Sequence, residues 1–286
     1  MTVASDLHVA TVDPPWDLEA WRGQARAALR ARIEPSRLSW LSWTGAAEAG
    51  LFGGAPVLSL PPLRDAPAVP REFLALAARV LAHRDPQRHG LLYRLLWRMA
   101  HGEPRLLSHG LDADVHRAGA LDKTVRRDLH KMKAFVRFRE VHGAPDKFVA
   151  WFEPDHHIVD LVAPFFVRRF AGMRWAILTA YRSARWDGSA LAFGDGARPD
   201  EAPPDDARED LWRVYYANIF NPARLNPRMM RQEMPQKYWK HLPETHILPT
   251  LLREAGARVC DMAARDAEAP RKPAMVARVR AGRKPE

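Results

Sequence analysis

The chain has 286 residues, 47% of them hydrophobic and ten of them Trp, enough apolar surface for one large globular domain or two small ones. Its 44 Lys and Arg against 34 Asp and Glu give a net charge of +10, which favours polyanionic partners, whether nucleic acid or anionic membrane, and equally accompanies an Arg- and Ala-rich enzyme. A lone cysteine, Cys260, excludes a disulfide framework and any iron–sulfur cluster ligated by this chain, and suits a reducing cytoplasm. Residues 1–15 lack the basic start and apolar run of a secretory signal, and no apolar stretch reaches the roughly 18–20 residues that span a bilayer. A soluble cytoplasmic protein is expected, with no membrane contact.

In chain order, Leu18, Trp21, Ala25, Ala28 and Leu29 share one face of a predicted helix over 17–32, capped by Asp17 and ended before Pro35. Residues 38–43 alternate as a strand, and 45–70 read as a Gly/Pro/Ala-rich loop with a short strand at 56–60. Two helices follow, over 71–83 and 87–100, separated by Asp85-Pro86. A long helix over 112–132 places Val115, Ala118, Leu121, Val125, Leu129 and Met132 at spacings of three and four. Its far end is basic, with Arg126, Arg127, His130, Lys131 and Lys133, an arrangement that a helix C-terminus also favours on its own account. A strand over 134–141 would then put Phe135, Arg137 and Arg139 on one face. Such a face suits phosphates and stacked bases, and equally suits cation–π contact with a covering helix.

The stretch from Phe148 to Asp187 organises the rest. A strand over 148–152 stops at Pro154, and Asp155 is placed to cap a helix bearing Val159, Val162, Ala163, Phe166 and Phe170. Pro164 predicts a kink or a fresh helical start. A second strand covers 174–181, and Asp187-Gly188 signals a hairpin turn to 191–193. With the turn at 143–146, the local unit is strand, strand, helix, strand, strand. Residues 194–207 read as an acidic loop, 209–220 as a helix stopped by Asn221-Pro222, and 246–255 as a last helix. The whole is expected to be an α+β chain. A helical half over 1–133 precedes a mainly antiparallel sheet with C-terminal helices over 134–264, in one domain. The basic segment 265–286 reads as a disordered tail.

Three groups of residues suggest chemistry. Glu153, Asp155, His156 and His157 lie at a strand-to-helix junction, where carboxylates and imidazoles act as general acid and base or bind a metal. Their spacing matches no metal signature, and Asp155 capping with Glu153 paired to an arginine would explain them structurally. Arg168, Arg169 and Arg174, then Arg182, Arg185 and Trp186, suit phosphate forks with base stacking, or a salt-bridged hairpin. Asn218, Asn221 and Arg224 beside Tyr215 and Tyr216 could read a base edge or cap a helix. The run Lys237-Tyr-Trp-Lys240 interleaves aromatic and basic side chains. No phosphate-binding Gly-rich loop, nucleophile elbow or zinc pattern is present in the sequence.

The strings His130-Lys-Met-Lys-Ala-Phe-Val-Arg-Phe-Arg-Glu140, Trp151-Phe-Glu-Pro-Asp-His-His157, Ala163-Pro-Phe-Phe-Val-Arg-Arg-Phe170 and Arg174-Trp-Ala-Ile-Leu178 resemble a bacterial family. So do Tyr215-Tyr-Ala-Asn-Ile-Phe-Asn-Pro-Ala-Arg224 and Glu233-Met-Pro-Gln-Lys-Tyr-Trp-Lys240. That family is a domain of unknown function described as a DNA repair or DNA metabolism protein. It is found beside a radical SAM protein and often fused to a uracil-DNA glycosylase domain. The resemblance covers nearly the whole chain, weakly before Arg71 and strongly over about 125–249. It implies a DNA repair role with a uracil-DNA glycosylase and a radical SAM protein as partners acting in trans, and it carries over no catalytic residues. Two other readings stand beside it: a nucleic-acid-processing enzyme using Glu153, His156 and His157, and a protein-interaction adaptor without chemistry of its own.

Overall fold

The structure, a computed structural model, describes residues 7–42, 55–63, 65, 68–141, 143–202, 236–241, 250, 253 and 254. Its helices follow the apolar spacing closely. Helix α1 (Leu18–Arg30) is capped by Asp17, whose carboxylate accepts the Ala20 N–H at 2.6 Å, and it buries Trp21, Ala25, Ala28 and Leu29. Helices α2 (Arg71–Ala82) and α3 (Arg88–Ala100) flank the Asp85-Pro86 break. Helix α4 (Ala113–Phe135) is capped by Asp112, which accepts the N–H groups of Asp114 and Val115. The core of this half closes around Trp21, which is stacked on Trp40 at 5.9 Å and tilted against Phe73 at 6.2 Å. Tyr93 is fully buried there and donates its hydroxyl to the Ile33 carbonyl at 2.6 Å.

This half is not purely helical. Strands β1 (His8–Val12), β2 (Leu38–Ser42) and β3 (Ala55–Pro56) form a parallel sheet in the order β2-β1-β3. The strand expected over 56–60 is instead a short end of sheet followed by a 3-10 turn, Val57–Ser59.

The second sheet contains β4 (Arg139–Val141), β5 (Ala144–Trp151), β6 (Arg174–Leu178), β7 (Arg182–Trp186) and β8 (Leu191–Asp195), in that spatial order. It is mixed: β5 and β6 are parallel, joined by helix α5 (Val159–Arg169), and the other described pairings are antiparallel. Alternation along the strands sends Trp175, Ile177 and Ala184 under α5, where they are buried with Val159, Val162, Ala163 and Phe166. The α+β class therefore holds, with a parallel pairing at the centre of the sheet.

Three local expectations are corrected. Helix α4 runs on to Phe135, so β4 starts only at Arg139 and Phe135, Arg137 and Arg139 share no strand face; the Arg137 guanidinium instead donates to the carbonyls of Ala134 and Val136. Asp155 does not cap α5. That helix starts at Val159 with Ile158 before it and no side-chain cap, and the Tyr181 hydroxyl accepts the Val159 N–H at 2.9 Å. Of the two alternatives expected at Pro164, a kink or a fresh start, the fresh start does not occur: Pro164 lies inside α5. The strand expected over 174–181 ends at Leu178, because Thr179 folds the chain back by donating to the Arg182 carbonyl at 2.7 Å and accepting its N–H at 3.3 Å. That turn adds a strand, β7, to the expected unit.

Gly196 packs against this turn. A Cβ there would strike the Ala180 carbonyl, with Tyr181 N at 2.9 Å. Gly196→Ala is expected to destabilise the fold by about 1–3 kcal/mol, read as a lowered urea midpoint at unchanged slope.

The chain divides into two units, Met1–Pro204 and Asp205–Glu286. In the second, Gln236–His241 forms a 3-10 helix in which Tyr238 is buried. The helix expected over 209–220, Asn218, Asn221, Arg224 and the 265–286 tail lie outside the described residues.

Candidate functional site

Three loops come together beyond strand ends of the two sheets. Strand β1 leads through Asp13, cis-Pro14 and Pro15 to Trp16, β5 leads to Glu153–His157, and β6 leads to Thr179–Arg182. In open parallel sheets this is the edge at which ligands are bound. Here Trp16 stacks on His157 with centroids 4.5 Å apart, and the Tyr181 ring stands edge-on to both, at 5.0 and 4.9 Å. The Arg182 guanidinium lies 5.9 Å above Trp16 and pairs with Asp160 at 2.8 Å. The backbone N–H of His157 donates to the Ala82 carbonyl at 2.8 Å, tying the junction to the end of α2.

His156 faces the other way. Its ring lies 4.2 Å from that of His83, and its backbone N–H donates to the carboxylate of buried Asp128 at 2.9 Å. Glu153 accepts the indole N–H of Trp151 at 3.1 Å. Behind these groups, Arg88 is buried and gives three hydrogen bonds to backbone carbonyls, of Leu81 at 2.9 Å, Asp85 at 2.8 Å and Pro15 at 2.9 Å. His89 Nε2 lies 2.8 Å from that same Pro15 carbonyl.

Electrostatics follow from this enclosure. Burial, with Arg84 and Arg88 nearby, pushes the His157 imidazole down to about 3. Burial and Arg88 take His89 down to about 4, and burial lowers His83 as well. Burial raises Asp160 against the pull of Arg182, and raises the Tyr181 phenol. An imidazole held neutral this firmly takes up no proton near neutral pH, where a general base works best with a matched pKa. His157 is thus built in as a packed aromatic. Among the described residues no group of three or more His, Cys, Asp or Glu is placed to hold a metal ion.

Sequence reasoning missed Trp16, His83, Asp128 and Tyr181 as members of this cluster. Each comes from a different element, and only the fold brings them together.

The opposite end of the same sheet is basic. Lys147 and Arg174 are paired in register across β5 and β6, Arg168 and Arg169 close α5, and Arg185 lies opposite Ala176 near the end of β7. All five are exposed, and none has an ion-pair partner among the described residues. The Trp186 indole N–H donates to the Ala171 carbonyl at 3.1 Å, which holds the α5–β6 connection against β7. Asp187 is occupied as the acceptor of the Ser189 and Ala190 N–H groups. A cleft of about 410 Å³ opens here, with Val149, Ala176 and Trp175 among the residues that line it.

The remaining predicted cations are elsewhere. Arg182 sits at the imidazole end in its pair with Asp160, and Arg126 pairs with Asp122 at 2.9 Å, an acid that Arg79 also engages. Arg127 and Lys131 lie along α4, and Arg139 opposes Val149 on β4.

A family model described as a domain of unknown function (DUF4130) matches residues 86–244, from just before α3 into the second unit. Strands β1 to β3 and helices α1 and α2, and with them Trp16 and His83, fall outside the match. No curated protein and no solved structure matches the chain. With more than half of its length inside that match, the chain belongs to the DUF4130 family.

Proposed function

We propose that this chain is a nucleic-acid-binding protein of DNA metabolism that contacts phosphates through the basic end of its five-stranded sheet. The observation that carries the reading is the gathering of Lys147, Arg168, Arg169, Arg174 and Arg185 at one sheet end, exposed and without acidic partners among the described residues. Cations scattered by composition alone would neutralise nearby acids, as Arg182 and Arg126 do. The net charge of +10 adds a favourable long-range field. The resemblance of the 130–240 strings supports the DNA repair setting, with a uracil-DNA glycosylase and a radical SAM protein as partners. The imidazole cluster does not favour the enzyme reading, because His157 is held neutral between two aromatic rings.

The test is binding of a labelled oligonucleotide across a salt series. Three to five phosphate contacts predict that log K falls against log salt with a slope of about −3 to −4.5. The double variant Arg168→Ala, Arg169→Ala is expected to reduce that slope by about 2. No binding at about 50 mM salt, or a slope near zero, would sink the reading.

A further inference from the structure

The five-stranded sheet has two unlike faces. One is covered by α5, and the other carries Lys147, Val149, Ala176 and Arg185, each on the strand side away from buried Trp175, Ile177 and Ala184. Register fixes their arrangement. Val149, Ala176 and Arg185 are directly opposite one another on three adjacent strands, so they are spaced at about 5 Å. Lys147 and Arg174 form the next pair along, about 7 Å away on the same face. The result is a small apolar floor with cations on two sides. The cleft of about 410 Å³ is also lined at the strand ends by Phe148, Trp175 and Trp186, which alternate to the other side, and by Asp187.

We infer that this cleft seats an unpaired base of a single-stranded nucleic acid, with Lys147, Arg174 and Arg185 holding the flanking phosphates. The inference rests on the nucleic-acid reading above and specifies its substrate. Charge complementarity selects the occupant, since the rim carries three exposed cations without acidic partners among the described residues, the lining Asp187 is engaged by the Ser189 and Ala190 N–H groups, and the floor is apolar. Such a floor takes the face of any base, which makes recognition tolerant of sequence. A volume near 400 Å³ is within the range of sites that bury small planar ligands. A duplex keeps its bases stacked inside and offers this surface only phosphates. The basic surface continues at Arg168 and Arg169, which precede Arg174 across the short connection from α5, so a strand rather than a free nucleotide fits the full set.

The full-length chain should be titrated with a thymidine oligonucleotide of roughly 12 nucleotides, an abasic oligonucleotide of equal length, and the matching duplex. Seating a base predicts that the thymidine strand binds at least about tenfold tighter than either, a preference that survives higher salt while overall affinity falls. Ala176→Phe fills the floor without altering charge and should bring the thymidine strand down to the abasic level. Arg185→Ala should weaken both strands and reduce the salt slope by about 1. Equal binding of thymidine and abasic strands by the wild-type chain overturns the inference while leaving phosphate binding intact, and needs no variant to fold. A thymidine preference that persists in a folded Ala176→Phe protein places the base elsewhere and overturns it too. Failure of every oligonucleotide to bind at low salt removes the nucleic-acid reading itself and this inference with it.

Discussion

Arg88→Met should cost about 3–5 kcal/mol of stability, one of the two largest effects expected of a single change in this chain. Arg88 is 5% exposed and donates to the carbonyls of Leu81, Asp85 and Pro15. Methionine fills the volume of the aliphatic stem but supplies no donor. The buried Leu81 carbonyl then loses its guanidinium donor, at about 1–3 kcal/mol. The part-buried Asp85 and Pro15 carbonyls each lose a charge-assisted bond while keeping, respectively, the Arg88 backbone N–H and His89 Nε2. For a chain of this size that corresponds to a fall in Tm of roughly 10 °C. Arg88→Lys keeps the charge but has no fork, and should recover less than half of the loss. The three carbonyls belong to the end of α2, the α2–α3 break and the loop after β1, so the variant should also loosen Trp16 from His157. A loss below about 1 kcal/mol would show that the carbonyls are satisfied without the guanidinium.

Acid should destabilise the fold well before the ordinary carboxylates are protonated. His157 and His89 have folded values of about 3 and about 4 against a usual 6.5. Between those values and 6.5 the unfolded chain binds protons that the folded chain refuses. Their contribution is therefore fully present above pH 6.5 and is lost as pH falls towards 4 and then 3. Each buried imidazole can add up to about 1.4 kcal/mol per pH unit, and nearer 1 for His157, whose ring retains some solvent contact. His157→Phe preserves the ring between Trp16 and Tyr181 and removes the titration. Its urea midpoint should match the native chain above neutral pH and fall less steeply below pH 6. Parallel acid branches for the two proteins would show that His157 does not resist protonation in the fold.

Helices α1 to α4 could be read from the sequence because their apolar faces are long, and two of them, α1 and α4, also start at an aspartate, Asp17 and Asp112, that accepts N–H groups of the first turn. Asp155 shows the limit of that logic. A polar residue ahead of an apolar run is a cap only if its carboxylate meets the free N–H groups, and here a phenol from Tyr181 reaches Val159 instead. The basic end was legible in part, since Arg168, Arg169, Arg174 and Arg185 are close in sequence and the sheet keeps them close in space. Lys147 was not singled out, because its role depends on the parallel register that places it beside Arg174. The imidazole end was visible only as His156 and His157. Their partners come from the loop after β1, the end of α2 and the middle of α4, and no local pattern links such distant segments. Strand β1 escaped notice for a related reason: Val9, Ala10 and Val12 are all buried, so it shows no polar alternation.

The parallel pairing of β5 with β6 has a mechanical consequence. The sheet consists of two locally wound pieces, the hairpin β4–β5 and the meander β6–β7–β8, and each can close through short turns. Their common seam forms only after α5 has crossed over, which makes it the contact of highest loop-closure cost in the sheet. Val149 and Ala176, the floor of the cleft, sit on opposite sides of that seam. Anything bound across the floor would therefore fasten the two pieces together like a clasp, and its grip would be felt along the amides of β5 and β6 as much as at the cleft itself.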